Sequence, residues 1–164
     1  GSGMPIGFIG LSKKVYDKIS REKINIIFGG TFSGNSITSH VSNEFLKYFI
    51  KNSRKIIANI NAKTINFSYE LNLFFKQNKL EIQVYYFQSL ARIIFTKEQV
   101  INRTQRDFLE KNQSTNIIKM TKELEKVGIK YPSNGVLLFN NAMNNEDIKY
   151  LIINFKKVIL KIFR

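Results

Sequence analysis

The sequence predicts an α+β chain in which helices cover one face of a small, largely antiparallel sheet. Three observations carry that expectation. Apolar residues recur at three- and four-residue spacing over long stretches, the signature of helices with one buried stripe. Two short runs near the middle, Glu81–Phe87 and Ala91–Thr96, are rich in β-branched and aromatic residues, and the first begins by alternating. The elements fall in the order strand, helix, loop, long helices, strands, helix, strands, helix, which suits a layered α+β arrangement.

The first element, Pro5–Gly10, is short, apolar and bounded by glycine, and reads as a buried strand approached closely by a neighbour. Ser12 is placed to cap a helix carrying Val15, Tyr16 and Ile19 on one side. Ile24–Phe28 reads as extended and leads into Gly29-Gly30-Thr31-Phe32-Ser33-Gly34-Asn35. Helical character follows from about Ile37 to Leu80, with a break expected near Asn52-Ser53. Val41, Phe45, Tyr48 and Phe49 belong to the first helix, and Ile56, Ile60, Ile65, Tyr69 and Leu73 to the second.

After the two strands, Lys97–Asn112 is polar and reads as a connection with some helix. Ser114 or Thr115 starts a helix that stops at Val127-Gly128, glycine being the usual residue just past a helix end. Ile129–Pro132 and Val136–Phe139 are short strand candidates around the turn Ser133-Asn134-Gly135. In the last element Asn144 acts as cap and Asp147 follows three residues later. Ile148, Leu151, Ile152, Phe155, Val158, Ile159 and Ile162 then line one face.

The 164 residues suffice for one well-buried core, or a small domain with an extension. Cysteine is absent, which excludes disulfides, thiolate catalysis and Cys-ligated metal, and the single His40 leaves no histidine cluster for zinc. No stretch has the ~20 apolar residues of a membrane span, and the first residues lack the pattern of a secretory signal. The expectation is a cytoplasmic protein with no membrane partner. A formal charge of +14 invites nucleic acid as a partner. The lysines are nevertheless spread along the chain without a dense block or a recognised motif. They read as a solvated surface, with nucleic acid an unlikely partner; the alternative reading of the chain is a basic stand-alone nucleic-acid-binding or interaction domain.

Read from the residues alone, the Gly30-Thr31 stretch is first a glycine turn in which Thr31 and Ser33 close local hydrogen bonds; the alternative is a phosphate held by N–H groups that glycine leaves open and by a hydroxyl donor. His40, on the helix after the loop, reads as a packed or surface residue. Arg103, Arg106 and Asp107 read as local ion pairs in a solvated connection rather than an anion site. Tyr85-Tyr86-Phe87 read as strand packing rather than a stacking platform for bases.

Met4-Pro5-Ile6-Gly7-Phe8-Ile9-Gly10, Gly29-Gly30-Thr31-Phe32-Ser33-Gly34-Asn35, Ser89-Leu90-Ala91-Arg92-Ile93-Ile94-Phe95 and Asn144-Asn145-Glu146-Asp147-Ile148 occur in this order. Together they resemble segments of the class III aminotransferases of pyridoxal-phosphate fold type I, nearest the glutamate-1-semialdehyde aminomutase branch. The second resembles the family's G-G-T-F-S-G-N-P loop, with Ser36 in place of the proline. The resemblance implies a chain that is the C-terminal part of such an enzyme. Residues 1–36 would be the tail end of the large cofactor domain, its last strand, helix and phosphate-contacting loop. Residues 37–80 would be connecting helices, and residues 81–164 the small C-terminal domain.

It further implies pyridoxal phosphate as cofactor, with Gly30 and Thr31 reaching its phosphate across a homodimer interface, and a small-molecule amino substrate. The Schiff-base lysine would lie a few residues before Met4, outside this sequence, together with the N-terminal large domain. The chain alone is therefore expected to be an inactive part of an aminotransferase or aminomutase. Pro132-Ser133-Asn134-Gly135-Val136 departs from the aminomutase pattern, which carries a carboxylate in a longer segment here. Another small or carbohydrate-derived substrate stays open.

Overall fold

A computed structural model of the chain describes residues 3–26, 29–31 and 33–163. Ile27, Phe28 and Phe32, which belong to the expected extended run and the glycine-rich loop, lie outside the described residues. The chain divides into two compact units, Gly1–Ser53 and Arg54–Arg164.

In the first unit, α1 spans Lys13–Arg21, and Ser12 caps it by accepting a hydrogen bond from the Val15 N–H. The strand expected at Pro5–Gly10 is not formed: these residues have no regular structure, and Phe8 and Ile9 are each 73% exposed. A strand needs a ladder partner for its backbone groups. Among the described residues all three strands of the sheet come from the second unit, and this segment has no ladder partner among them.

Helix α2, Ser36–Gln77, runs without the expected break. Asn52 and Ser53 do not interrupt it because their side chains bond back to the helix, Asn52 Nδ2 to Tyr48 O at 2.8 Å and Ser53 Oγ to Ile50 O at 3.3 Å.

The second unit holds the sheet, order β1-β2-β3 and antiparallel throughout. Strands β1, Gln83–Phe87, and β2, Leu90–Ile94, form a hairpin whose turn uses Gln88 at φ 51°. Strand β3 is only Leu137–Leu138, and its partners are Ala91 and Leu90. Ile129–Pro132 forms no strand. On the outer side of β1, Asn72 of α2 bonds both main-chain groups of Val84: Val84 N–H donates to Oδ1 at 2.7 Å and Nδ2 donates to Val84 O at 3.0 Å.

Val84, Ala91 and Ile93 turn to the core, where they meet Phe67, Leu71 and Phe75 of α2. The core is completed by Met120 and Leu124 of α4, Ser114–Lys126, and by Phe155 and Ile159 of α5, Asn145–Phe163. Phe67 packs edge-on against Phe155 at 5.4 Å and tilted against Phe139 at 5.2 Å, favourable aromatic geometries. Tyr86 and Phe87 depart from the packing expected of them. They sit 50% and 69% exposed at the turn end of the hairpin, where no helix covers the sheet.

The expected start of α5 forms as a capping box. Asn144 Oδ1 accepts from Asp147 N at 2.9 Å, and Asp147 Oδ2 accepts from Asn144 N at 2.8 Å. Helix α4 ends where glycine predicted. Gly128 takes φ 74°, Gly128 N bonds Glu125 O, and Ile129 N reaches Leu124 O at 2.9 Å. The stretch 97–112 contains α3, Arg103–Asn112, capped by Asn102.

Candidate functional site

The glycine-rich loop feeds directly into α2. Asn35 stands at the junction: its Oδ1 accepts from Thr38 N at 3.0 Å, and its carbonyl accepts from Thr38 Oγ1 and Ser39 N, each at 3.0 Å. These bonds satisfy groups that a helix start otherwise leaves open. Gly34, at φ 70°, makes the turn into the cap. Ser33 N donates to Gly30 O at 2.9 Å, closing the preceding turn.

The closing bonds thus run through Gly30 carbonyl and Asn35, leaving the Thr31 amide and hydroxyl out of them. Thr31 is exposed. A Cβ placed on Gly30 would meet only Ser33 Oγ, at an ordinary 3.6 Å, so the loop is open rather than packed. Gly30 and Thr31 border a cleft of about 500 Å³ with Pro5, Gly7, Ser33 and Ser39. No carboxylate lines it. Ser36 is the first residue of α2, so its N–H and hydroxyl are both retained at the position where a helix most readily accepts proline.

A second polar centre lies within residues 54–164. Arg92, on the face of β2 opposite Ile93, meets Glu110 of α3 through two bonds of 2.6 Å, Nε to Oε1 and Nη2 to Oε2. Both side chains are about four-fifths buried, at 18% and 19% exposure. The Glu110 hydrogen bond holds the guanidinium above its ordinary value, against the opposing effect of burial. Tyr131 closes the same region by donating to Gly135 O at 3.1 Å. A cavity of about 570 Å³ opens here, lined by Arg92, Glu110, Tyr131, Ser133 and Gly135 among others. No sequence spacing pointed to this pair, since the partners are 18 residues apart on a strand and a helix.

No family model and no curated protein matches the sequence. Solved structures do match. A glutamate-1-semialdehyde-aminomutase from Pseudomonas aeruginosa PAO1, in a complex with PMP, is similar over 93% of this chain with a TM-score of 0.76 and 12% identity. A beta-phenylalanine aminotransferase from Variovorax paradoxus covers 93% of it at TM-score 0.72 and 14% identity. An omega-transaminase from Sphaerobacter thermophilus covers 85% at TM-score 0.65 and 14% identity. The chain has the fold of the C-terminal part of an aminotransferase. It spans about a third of the length of these structures, 35%, 34% and 31% respectively. At such identities the likeness is one of fold.

Within this aminotransferase fold the remaining sequence candidates have local roles. His40 is exposed on the first turns of α2, near Glu44, and does not line the loop cleft. Arg103 pairs with Asp107 at 3.4 Å, and Arg106 pairs with Asp107 and, at 3.7 Å, with Glu110. All four lie on α3, so they brace one helix surface. Lys13 is exposed on α1 and paired with Asp17 at 3.1 Å. Among the described residues no group of His, Cys, Asp and Glu could hold a metal ion, and no helix is long and apolar enough to cross a membrane.

Proposed function

We propose that this chain is the C-terminal part of a pyridoxal-phosphate-dependent class III aminotransferase or aminomutase that moves an amino group on a small substrate. The observation that carries the reading is the 93% coverage at TM-score 0.76 by an aminomutase fold.

The loop fits a phosphate. Its cleft offers the Thr31, Ser33 and Ser39 hydroxyls and glycine-flanked amides, with no carboxylate to repel an anion. Gly30 and Thr31 would hold the phosphate end of pyridoxal phosphate, Thr31 by donating its hydroxyl and amide hydrogens. When bound, that cofactor supplies an electron sink for carbanion chemistry. Thr31 acts only by positioning, since the Schiff-base lysine and the partner of the ring nitrogen belong to the large domain. The working protein is a homodimer in which this loop serves a cofactor bound mainly by the other subunit. The chain by itself does not transaminate.

The segment Pro132–Val136 departs from the aminomutase branch, which carries a carboxylate in a longer segment here, so another small or carbohydrate-derived substrate stays open. Gly135 within it has φ 72°. A Cβ there would approach Arg92 Nη2 to 3.1 Å. The position is thus closed to a simple side-chain addition, and Arg92 is already committed to Glu110.

Phosphorus NMR of pyridoxal phosphate titrated with the chain tests the reading. Selective broadening of the phosphate signal is expected. Inorganic phosphate should relieve it, Thr31→Val should reduce it several-fold, and phosphate-free pyridoxal should show no equivalent binding. Equal binding of pyridoxal, indifference to Thr31→Val, or transamination by the chain alone would overturn it.

A further inference from the structure

The lysines that look scattered in sequence are in part gathered by the fold of residues 54–164. Lys119, Lys122 and Lys126 follow one another at three- and four-residue spacing on α4, so they share a helix face. Lys161 joins them from the last turn of α5. The four line a groove of about 360 Å³ with Glu123 and Ile162.

Glu123 is the only carboxylate in that lining among the described residues, and its charge is already shared. It accepts from Lys126 Nζ at 2.5 Å and from Lys161 Nζ at 2.6 Å. Lys119 and Lys122 are exposed and form no ion pair among the described residues. The groove thus already holds one oxyanion between two ammonium groups, and beside it stand two further ammonium groups with no ion-pair partner among the described residues. Ammonium groups crowded on one surface repel each other unless anions neutralise them.

The shape favours a chain of phosphates over a single ion. Lys119 and Lys126 are about 10 Å apart along the helix at about 1.5 Å per residue. The 164-residue chain, at +14, adds an attractive field. Lysine is a compact point charge that imposes no bidentate register, which suits a repeating backbone read without regard to sequence. A membrane surface fits less well, because Ile162 is the only apolar side chain in the lining and interfacial helices need an apolar face to insert.

We propose that the α4–α5 groove is a sequence-independent docking surface for the phosphodiester backbone of nucleic acid. Lys119 and Lys122 contact phosphates directly, and Glu123 limits affinity by occupying Lys126 and Lys161. This site is independent of the cofactor reading, and either can fail without the other.

The test is fluorescence anisotropy of a labelled mixed-sequence single strand, and of the matching duplex, titrated with the full chain across a salt series. Affinity should fall with salt. Lys119→Glu/Lys122→Glu should weaken single-strand binding by about tenfold or more and reduce the log–log salt slope by about 1.4, two phosphates at about 0.7 each. Glu123→Gln should tighten binding and steepen the slope, the opposite of what a merely structural pair would give. Lys55→Glu/Lys149→Glu makes the same net-charge change at exposed positions outside the groove and should shift affinity less than about threefold.

Circular dichroism of each variant checks that the fold is retained, and the neutral pair Lys119→Gln/Lys122→Gln gives a second measure should the reversals perturb it. The proposal is overturned by no salt-sensitive binding of either strand form, by an equal loss in the outside pair, or by tighter capture by anionic phospholipid vesicles than by the oligonucleotides. No gain with Glu123→Gln would remove the role given to Glu123 and overturn the assignment to this groove.

Discussion

Tyr131 shows how much a single buried side chain sets in this core. It is 6% exposed, its hydroxyl donates to Gly135 O, and its ring stands 6.2 Å from that of Phe155. Burial pushes its phenol up to about 12, partly opposed by the nearby charge of Arg92. The folded chain therefore keeps this proton between pH 10 and about 12, while the unfolded chain releases it near 10. The sign follows: stability is unaffected below pH 10 and falls as pH rises through that window. Ultraviolet titration should show a late phenolate step for Tyr131, absent in Tyr131→Phe. A Tyr131→Phe trace that keeps the late step would contradict this assignment.

Helix ends give the clearest view of what the sequence discloses. Three helices stop in the same way, with a left-handed residue followed by a bond from the next N–H back across the last turn. The left-handed residues are Lys23, Lys79 and Gly128, and the bonds are Ile24 N to Ile19 O, Leu80 N to Phe75 O and Ile129 N to Leu124 O. Only the third was legible, because only there does glycine mark the conformation. Lys79, at φ 54°, carries a Cβ in a region that costs a non-glycine residue about 1 kcal/mol or more. Lys79→Gly should thus stabilise the fold by about 0.5–1 kcal/mol in urea denaturation, whereas Gly128→Ala should destabilise it by at least as much. A loss of stability in Lys79→Gly would show that its side chain, not its backbone, matters there.

The same contrast runs through the other elements. The capping box at Asn144 and Asp147 and the strands at 83–94 were readable because their signals are local. The missing strand at 5–10 was not, because a strand's existence depends on a partner elsewhere in the chain. The Arg92–Glu110 pair and the meeting of Lys161 with Lys119, Lys122 and Lys126 are products of tertiary packing, so no spacing rule reveals them. In the loop, glycine and threonine announced an open turn, and the cleft beside it includes Ser39, which the motif alone did not single out.

At the scale of the molecule, apolar burial among the described residues is confined to one unit. Every buried hydrophobic side chain among them falls between Phe67 and Ile159, while the described residues of 3–53 that are buried are Thr38 and Ser42. Phe8, Ile9, Tyr16, Ile37 and Tyr48 are among the large apolar residues left exposed in the first unit. Burial of such side chains is the main favourable term in folding, roughly 1.5–3 kcal/mol each, so the two units should differ sharply in local stability. Hydrogen exchange should show slow amides in β1, β2, α5 and the last turns of α2, and fast exchange throughout α1 and residues 3–12. Protection in α1 equal to that in α5 would refute this division. The proposed large domain offers an apolar cover for the exposed side chains, so its addition in trans should slow exchange there first.

The side-chain amide of Asn72 has a consequence for life at high concentration. Unpaired strand borders are templates on which foreign chains can add, the first step of cross-β growth. By taking both polar groups of Val84, Asn72 places a plug near the start of the outer border of the hairpin. The opposite border is only two residues long. A three-stranded sheet with exposed aromatics at its tip is in this way denied a continuous rail for amyloid-like extension.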